Sequence, residues 1–267
     1  HKVEEISRSD SGAINLTKTT DCLNKVIDNS KANKRKSICF VTGVPGAGKT
    51  LAGLNISNQR TSVDKDEHAV FLSGNGPLVE VLREALAIDK FVSSKDINKP
   101  ITKENARRET KKLIQNIHQF RDEYLKDDGE PVEKVVVFDE AQRAWNKKQT
   151  SSFMKRKKGK EDFSMSEPEF LIDVMNRHTD WCSIVCLIGG GQEINTGEAG
   201  LEEWINAFMN KYENWDIHYS NLITDSSNYI KTDTQKKWLE DNAYSQSELH
   251  LSVSVRSFRS EKLSSFI

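Results

Sequence analysis

The sequence contains no run of about 18 apolar residues and no signal-peptide pattern, so neither a membrane-spanning helix nor secretion is expected. Its four cysteines, Cys22, Cys39, Cys182 and Cys186, form no CxxC pair. Because Cys39, Cys182 and Cys186 lie in apolar runs, we expect reduced packing thiols and no metal site built from cysteine. The default expectation is a cytoplasmic location.

The chain also has almost no net charge, with 39 Lys and Arg residues against 40 Asp and Glu residues. This balance excludes a general electrostatic attraction to nucleic acid or membrane, so a polyanion would have to meet a local basic patch. Internal repeats are absent and low-complexity segments are few. A length of 267 residues with 36% apolar side chains suits one large domain better than two.

Short apolar runs rich in β-branched residues alternate with longer helical stretches. The predicted strands are residues 37–42, 69–72, 134–138, 183–188, 215–220 and 248–255. This order predicts an α/β fold, a mostly parallel sheet flanked by helices. The middle runs are apolar at nearly every position, as in strands covered on both faces, whereas the last run alternates with polar residues and is expected near an edge.

Helices are predicted at residues 49–60, 77–86 and 102–125. The third is expected as one continuous helix with one apolar stripe, formed by Leu113, Ile114, Ile117, Phe120, Tyr124 and Leu125. A further helix is expected to begin at Ser166, because Ser166 and Glu169 have the spacing of a capping box.

The segment GVPGAGKT, residues 43–50, has the pattern of a phosphate-binding loop between a strand and a helix. Small residues let successive backbone amides face the phosphates, and the helix N-terminus adds positive potential. Lys49 is predicted to reach the β and γ phosphates and Thr50 to bind Mg²⁺. The predicted nucleotide-binding residues are Gly43, Val44, Pro45, Gly46, Ala47, Gly48, Lys49, Thr50 and Leu51. The alternative is a plain turn.

Two further strands end in polar residues. The run VVVF is followed by Asp139 and Glu140. Asp139 can hold Mg²⁺, and Glu140 can activate the attacking water. This second acid favours hydrolysis of the γ phosphate over its transfer. The run CLI leads into GGGQ, whose Gln192 can bond both a phosphate oxygen and the attacking water, although glycines after a strand more often form a simple turn.

The order GVPGAGKT, DEAQRAW, GGGQEIN with GEAGLEEW, and LSVSVRS resembles superfamily-one helicases, and most closely the bacterial family grouped with the helicase domain of Schlafen proteins. The resemblance implies a RecA-like P-loop ATPase that binds ATP and Mg²⁺, with Arg256 as an arginine finger. Two positions depart from the pattern: Gly190 stands where most such loops carry an acid, and no upstream glutamine is found to read adenine.

The same resemblance implies a domain division. Residues 1–36 are expected to be a lead-in segment, 37–255 the first motor domain with a basic insertion at 146–165, and 256–267 the beginning of a second motor domain. It also implies a larger bacterial protein with a second motor domain in cis, a partner protein or a fused effector domain, and a role in anti-phage defence.

Contacts to single-stranded DNA or RNA are expected in two places. By resemblance, Ser73 and Asn75, which follow the second strand, are expected to contact phosphates; the alternative is a helix-capping turn ahead of the helix that Pro77 opens. The basic segment after the acid pair is expected as a flexible loop, either merely solvated or contacting phosphates. Its candidate residues are Lys155, Arg156, Lys157 and Lys158. Trp145 can stack on a base or pack in the core.

Two functions remain open from the sequence. The first is an ATP-driven nucleic-acid motor, favoured because Gln192 and Arg256 exceed what nucleotide binding alone requires. The second is a nucleotide-gated regulatory switch with little turnover, which a partner protein and not a nucleic acid would stimulate.

Overall fold

A computed structural model of the chain describes residues 2–63, 67–96, 100–159, 162–190, 198–226 and 228–254. The strands are β1 (Lys36–Gly43), β2 (Ala69–Ser73), β3 (Ile114–Asn116), β4 (Val135–Asp139), β5 (Cys182–Gly189), β6 (Trp215–Ser220), β7 (Tyr244–Gln246) and β8 (His250–Leu251). The helices are α1 (Lys2–Asn33), α2 (Lys49–Val63), α3 (Gly76–Asp96), α4 (Lys103–Leu113), α5 (Ile117–Tyr124), α6 (Lys147–Lys158), α7 (Glu167–Asn176), α8 (Gly200–Asn210), α9 (Leu222–Asp225) and α10 (Asp233–Asn242). Two 3₁₀ helices span Ala141–Arg143 and Ser247–Leu249.

Within the described residues the strands form one parallel sheet in the order β3-β2-β4-β5-β1-β6-β7, with β8 also paired to β1. Strands β1, β4 and β5 lie in its middle, and nearly all of their residues are buried, as expected for apolar strands covered by helices on both faces. The α/β fold and five of the six strands predicted from the sequence are therefore confirmed.

The sixth strand prediction, residues 248–255, is wrong in extent and in place. A 3₁₀ helix occupies its first part, and β8 is two residues long. It lies in the middle of the sheet, because β6 pairs with β1 only as far as Phe40 and leaves Thr42 and Gly43 to pair with β8.

The helix predicted over residues 102–125 is also wrong, since α4, β3 and α5 replace it. Ile114 pairs with Phe71 of β2, and the Asn116 side chain accepts a hydrogen bond from the His118 amide at 2.8 Å to begin α5. Leu113 and Ile114 pack in the core on one face of the sheet, whereas Ile117, Phe120 and Tyr124 pack on the other. One straight helix could not bury both groups.

The basic segment predicted as a flexible loop within 146–165 is mostly the helix α6. Asn146 caps its first turn by accepting from the Gln149 amide, and Gly159 ends it in the left-handed conformation with φ 65°. The Ser166 cap is confirmed, because its hydroxyl accepts from the Glu169 amide at 3.2 Å. Three of the four cysteines are buried and all four are free thiols, as the sequence predicts.

The lead-in segment forms α1, whose residues Leu23, Val26 and Ile27 pack in the same core cluster as strand residues of β1 and β5. Farther toward its N-terminus, Leu16 packs against Ala47 of the phosphate loop and Leu251 of β8. The domain limits at 36 and 255 remain predictions. Among the described residues no helix is long and apolar enough to cross a membrane.

Candidate functional site

The loop after β1, predicted to bind phosphate, turns at two glycines in the left-handed region. Gly46 and Gly48 adopt φ values of 77° and 90°, which side-chain-bearing residues rarely adopt. At Gly43 a Cβ atom would lie 2.8 Å from the Leu251 Cβ atom, so β8 requires glycine there. A cleft of about 380 Å³ lies over the loop, and Pro45 to Leu51 all line it. Its remaining lining comes from Leu54, Leu82, Glu140, Gly189 and Gly190.

The Lys49 side chain lies within this loop. Its Nζ atom donates hydrogen bonds to the carbonyl oxygens of Gly43 at 2.8 Å and Val44 at 3.3 Å. The Lys49 charge also acts on His250 of β8, where burial is the main cause that lowers the pKa of the imidazole and this charge lowers it further. His250 is in turn held by Thr42 through an Nδ1 to Oγ1 contact of 2.9 Å.

The phosphate loop meets the acid pair at Thr50. Its hydroxyl lies 3.4 and 3.3 Å from the two carboxylate oxygens of Asp139, which is the last residue of β4. Burial, together with the neighbouring Glu140 charge, raises the pKa of Asp139 from 3.8 to about 6. A hydroxyl and a carboxylate on one small cleft are the oxygen donors that Mg²⁺ prefers, and a divalent cation would offset the cost of this buried charge.

Glu140 follows Asp139 in a strained left-handed conformation with φ 53°. Gln142 holds its carboxylate: Nε2 of Gln142 donates to Oε2 of Glu140 at 2.5 Å, and Oε1 of Gln142 accepts from the Gly189 amide at 3.0 Å. A Cβ atom at Gly189 would lie 2.8 Å from the Nε2 atom of Gln142. Gln142 therefore ties the second acid to the end of β5. Gln142 is not among the site residues predicted from the sequence, although it is the last residue of DEAQ.

A tyrosine side chain lies beside Gly190, the position where most related loops carry an acid. The Tyr229 hydroxyl lies 2.5 Å from where a Cβ atom of Gly190 would be, so the phenol fills the space of a side chain. Burial raises the pKa of this phenol. The Tyr229 hydroxyl therefore lies beside Gly190, and no local signal in the sequence pointed to this contact.

Gln192 and Arg256 lie outside the described residues. The strand that leads to Gln192 ends at Gly189, beside the acid pair. Their roles stay predictions.

The predicted strand-contacting loop caps a helix. The Asn75 side-chain oxygen accepts from the Leu78 amide at 3.2 Å, and the Ser73 hydroxyl accepts from the Asn75 amide at 3.2 Å. The capping interpretation is therefore confirmed. Both residues also line a second cavity of about 590 Å³, which reaches Thr50, Asp139 and Glu140, so their predicted contact with nucleic acid stays open.

The four basic candidates of α6 are exposed and lie in its last turns. Lys158 forms an ion pair with Asp122, with 2.7 Å between Nζ and Oδ2, and Arg156 donates to the Ser152 carbonyl oxygen at 3.2 Å. Lys155 and Lys157 complete the basic end of this helix. Trp145 packs against His118 and Phe153 but also lines the second cavity, so both of its predicted roles remain open.

A glycine-rich loop, a hydroxyl and two acids thus meet at the strand ends of a parallel α/β sheet, an arrangement typical of phosphate-loop domains. The family model described as "Schlafen group 3, DNA/RNA helicase domain" matches residues 36–267, so the chain belongs to this family. No curated protein matches the chain. It is similar to the crystal structure of the Pyrococcus furiosus Hef helicase domain, with a TM-score of 0.39 and 16% identity over 72% of this chain. The match covers 38% of that helicase chain.

Proposed function

We propose that this helicase-like domain is an ATP-hydrolysing motor domain that acts on single-stranded DNA or RNA. One observation carries the proposal: the contact between Thr50 and Asp139 brings the phosphate loop and the acid pair to one cleft. A loop for nucleotide binding alone would not need a second acid, held in place by Gln142, beside it.

In the proposed ATP hydrolysis each group of residues in the cleft has a distinct role. The loop amides and Lys49 would bind the β and γ phosphates, and Thr50 and Asp139 would hold Mg²⁺, which neutralises phosphate charge when bound. Glu140 would accept the proton of the attacking water, with Gln142 keeping its carboxylate in place. Gln192 and Arg256 would complete the site around the γ phosphate, as the family resemblance implies.

Two variants test the nucleotide chemistry. We expect Glu140→Gln to lower ATP turnover by about a hundredfold or more, because the amide cannot accept the proton, while ATP binding is preserved. Lys49→Ala should instead weaken ATP binding itself. Glu240→Gln, an exposed residue of α10, is the matched control and should behave as wild type. Turnover by Glu140→Gln at the wild-type rate would show that the base is misassigned.

The effect of single-stranded nucleic acid on ATP turnover distinguishes a motor domain from a regulatory switch. Single strands should raise turnover, and the stimulation should fade as salt increases, because phosphate contacts release counterions. If strands leave the turnover unchanged while a partner protein raises it, the domain is a regulatory switch. The measurement is steady-state phosphate release with and without a 20-nucleotide strand across a salt series.

A further inference from the structure

Helix α1 precedes residue 36, where the match to the family model begins, yet it lies along the segment of residues 246–252 that contains β8. Three polar side chains of α1 form hydrogen bonds to this segment. They are Asn15, Thr19 and Cys22, spaced at i, i+4 and i+7 and therefore on one face of the helix. Their partners follow in reverse order along the chain, so α1 and the segment run antiparallel.

The Asn15 side chain pairs with β8 as a neighbouring strand would. Its Nδ2 atom donates to the His250 carbonyl oxygen at 3.3 Å, and its Oδ1 atom accepts from the Ser252 amide at 2.9 Å. Because these backbone groups point to one side of an extended chain, the Leu251 backbone faces the other side. There its carbonyl oxygen accepts from the Val44 amide at 3.0 Å. β8 is therefore held between Asn15 and the loop of residues 43–50.

Thr19 supports the same arrangement one turn farther along α1. The buried Thr19 hydroxyl donates to the Glu248 carbonyl oxygen at 2.6 Å. Between Asn15 and Thr19 in the chain, Leu16 packs against Ala47 of the loop and against β8. The helix therefore contacts both β8 and the loop that β8 adjoins.

The position of β8 affects the loop because the two backbones fit closely. A Cβ atom at Gly43 would lie 2.8 Å from the Leu251 Cβ atom. Thr42 pairs with His250 in the sheet, and its hydroxyl oxygen lies 2.9 Å from the imidazole Nδ1 atom. The Gly43 carbonyl oxygen accepts from the Lys49 ammonium at 2.8 Å. A shift of β8 would therefore move the backbone at the beginning of the loop and the lysine bonded to it.

We propose that Asn15 is a positioning residue for nucleotide binding, which fixes β8 so that the loop of residues 43–50 keeps its binding conformation. The inference rests on the proposed function and extends it to a helix outside the matched region. A loop that is ordered before the nucleotide arrives loses less conformational entropy on binding, so the affinity is higher. Because Leu23, Val26 and Ile27 anchor α1 in the core, removing the Asn15 amide should loosen β8 without detaching the helix.

The first measurement is the affinity for a fluorescent N-methylanthraniloyl derivative of ATP in the presence of Mg²⁺. Asn15→Ala should weaken this binding about fivefold, the size expected for about one hydrogen bond. Turnover at saturating ATP should change by less than about twofold, because bound ATP itself orders the loop. Asn33→Ala, which removes an exposed amide at the other end of α1, is the matched control and should bind ATP as wild type does.

The second measurement is hydrogen exchange of the Val44 amide, whose acceptor is the Leu251 carbonyl oxygen. In Asn15→Ala this amide should exchange about tenfold faster, because β8 is less firmly held. The amides of Val136 in β4 and Val185 in β5 should keep their wild-type rates. A merely structural asparagine would instead destabilise the whole domain and accelerate all three amides together.

Thr19→Val is the second variant, and it keeps the inference testable if thermal unfolding shows that Asn15→Ala does not fold. Valine keeps the shape of threonine and removes the hydrogen bond to the Glu248 carbonyl oxygen. The same pattern should appear, with ATP binding about twofold weaker and the Val44 amide selectively faster.

Two results would overturn the inference and leave the proposed function intact. The first is wild-type affinity for ATP in the folded variants. The second is weaker binding without a selective acceleration of the Val44 amide, since the polar side chains of α1 would then act only through general stability. Wild-type protein that binds no ATP would remove the proposed function together with this inference.

Discussion

Replacing Asp139 by asparagine should make the nucleotide-free protein more stable at neutral pH. The carboxylate is 3% exposed, so ionising it in the folded state is costly, and its pKa is about 6 against 3.8 without that environment. This difference corresponds to about 3 kcal/mol at neutral pH. Asparagine keeps the shape and an oxygen for the Thr50 hydroxyl but carries no charge.

The direction of the pH dependence follows from the same numbers. Between pH 3.8 and about 6 the folded protein holds a proton on Asp139 that the unfolded chain has released. The stability that the protonated Asp139 contributes is therefore complete below pH 3.8 and is lost as the pH rises through about 6. The gain from Asp139→Asn should be greatest at pH 8, about half as large at pH 5, and absent below about pH 4.

Thermal unfolding in EDTA measures this effect. For a chain of this length, about 3 kcal/mol corresponds to a rise in Tm of about 6 °C at pH 8. Mg²⁺ should raise the Tm of wild type more than that of the variant, because the ion favours the ionised carboxylate. Asp89→Asn on the exposed side of α3 is the matched control. A variant no more stable than wild type at pH 8, or a gain independent of pH, would refute the reasoning.

Three further substitutions probe other contacts. Gly53→Ala should destabilise the fold by about 1 to 2 kcal/mol in urea unfolding, because the added Cβ would lie 2.7 Å from Leu187 Cδ1 and 2.8 Å from Val137 Cγ1. The better helix propensity of alanine offsets only part of this strain. The control Gln59→Ala, on the same helix, should have little effect. Gln142→Ala should lower ATP turnover about tenfold with unchanged ATP binding, since it frees Glu140; unchanged turnover would show that this amide does not position the base. Asn116→Ala should cost about 1 kcal/mol in the same urea assay, because it removes the N-cap of α5, and a stability equal to wild type would contradict that capping role.

The central strands were predictable because their signal is local. A strand that is covered on both faces must be apolar at nearly every position. The central strands β1, β4 and β5 meet this requirement. The turn of the predicted phosphate-binding loop is also local, since the φ values of Gly46 and Gly48 require glycine whatever surrounds them. The cap at Ser166 likewise depends on residues only three positions apart.

Elements whose identity depends on distant partners were not predictable. The apolar stripe in residues 102–125 looked helical, but Ile114 pairs with β2, and the stripe divides between the two faces of the sheet. Likewise, β8 is a strand only because β6 leaves the end of β1 unpaired. Periodicity reports which residues are buried, and it does not report which partner buries them.

The sequence by itself determined the α/β class, the glycine-rich loop after β1 and the positions of Asp139 and Glu140, because each depends on residues that are neighbours in the chain. Only the tertiary structure decided that Gln142 bridges Glu140 to Gly189, that Tyr229 fills the space beside Gly190, and that His118 and Glu167 share one cavity. Side chains that are far apart in sequence meet only through the order of strands and the path of the helices over them. Their chemistry follows from packing and not from spacing.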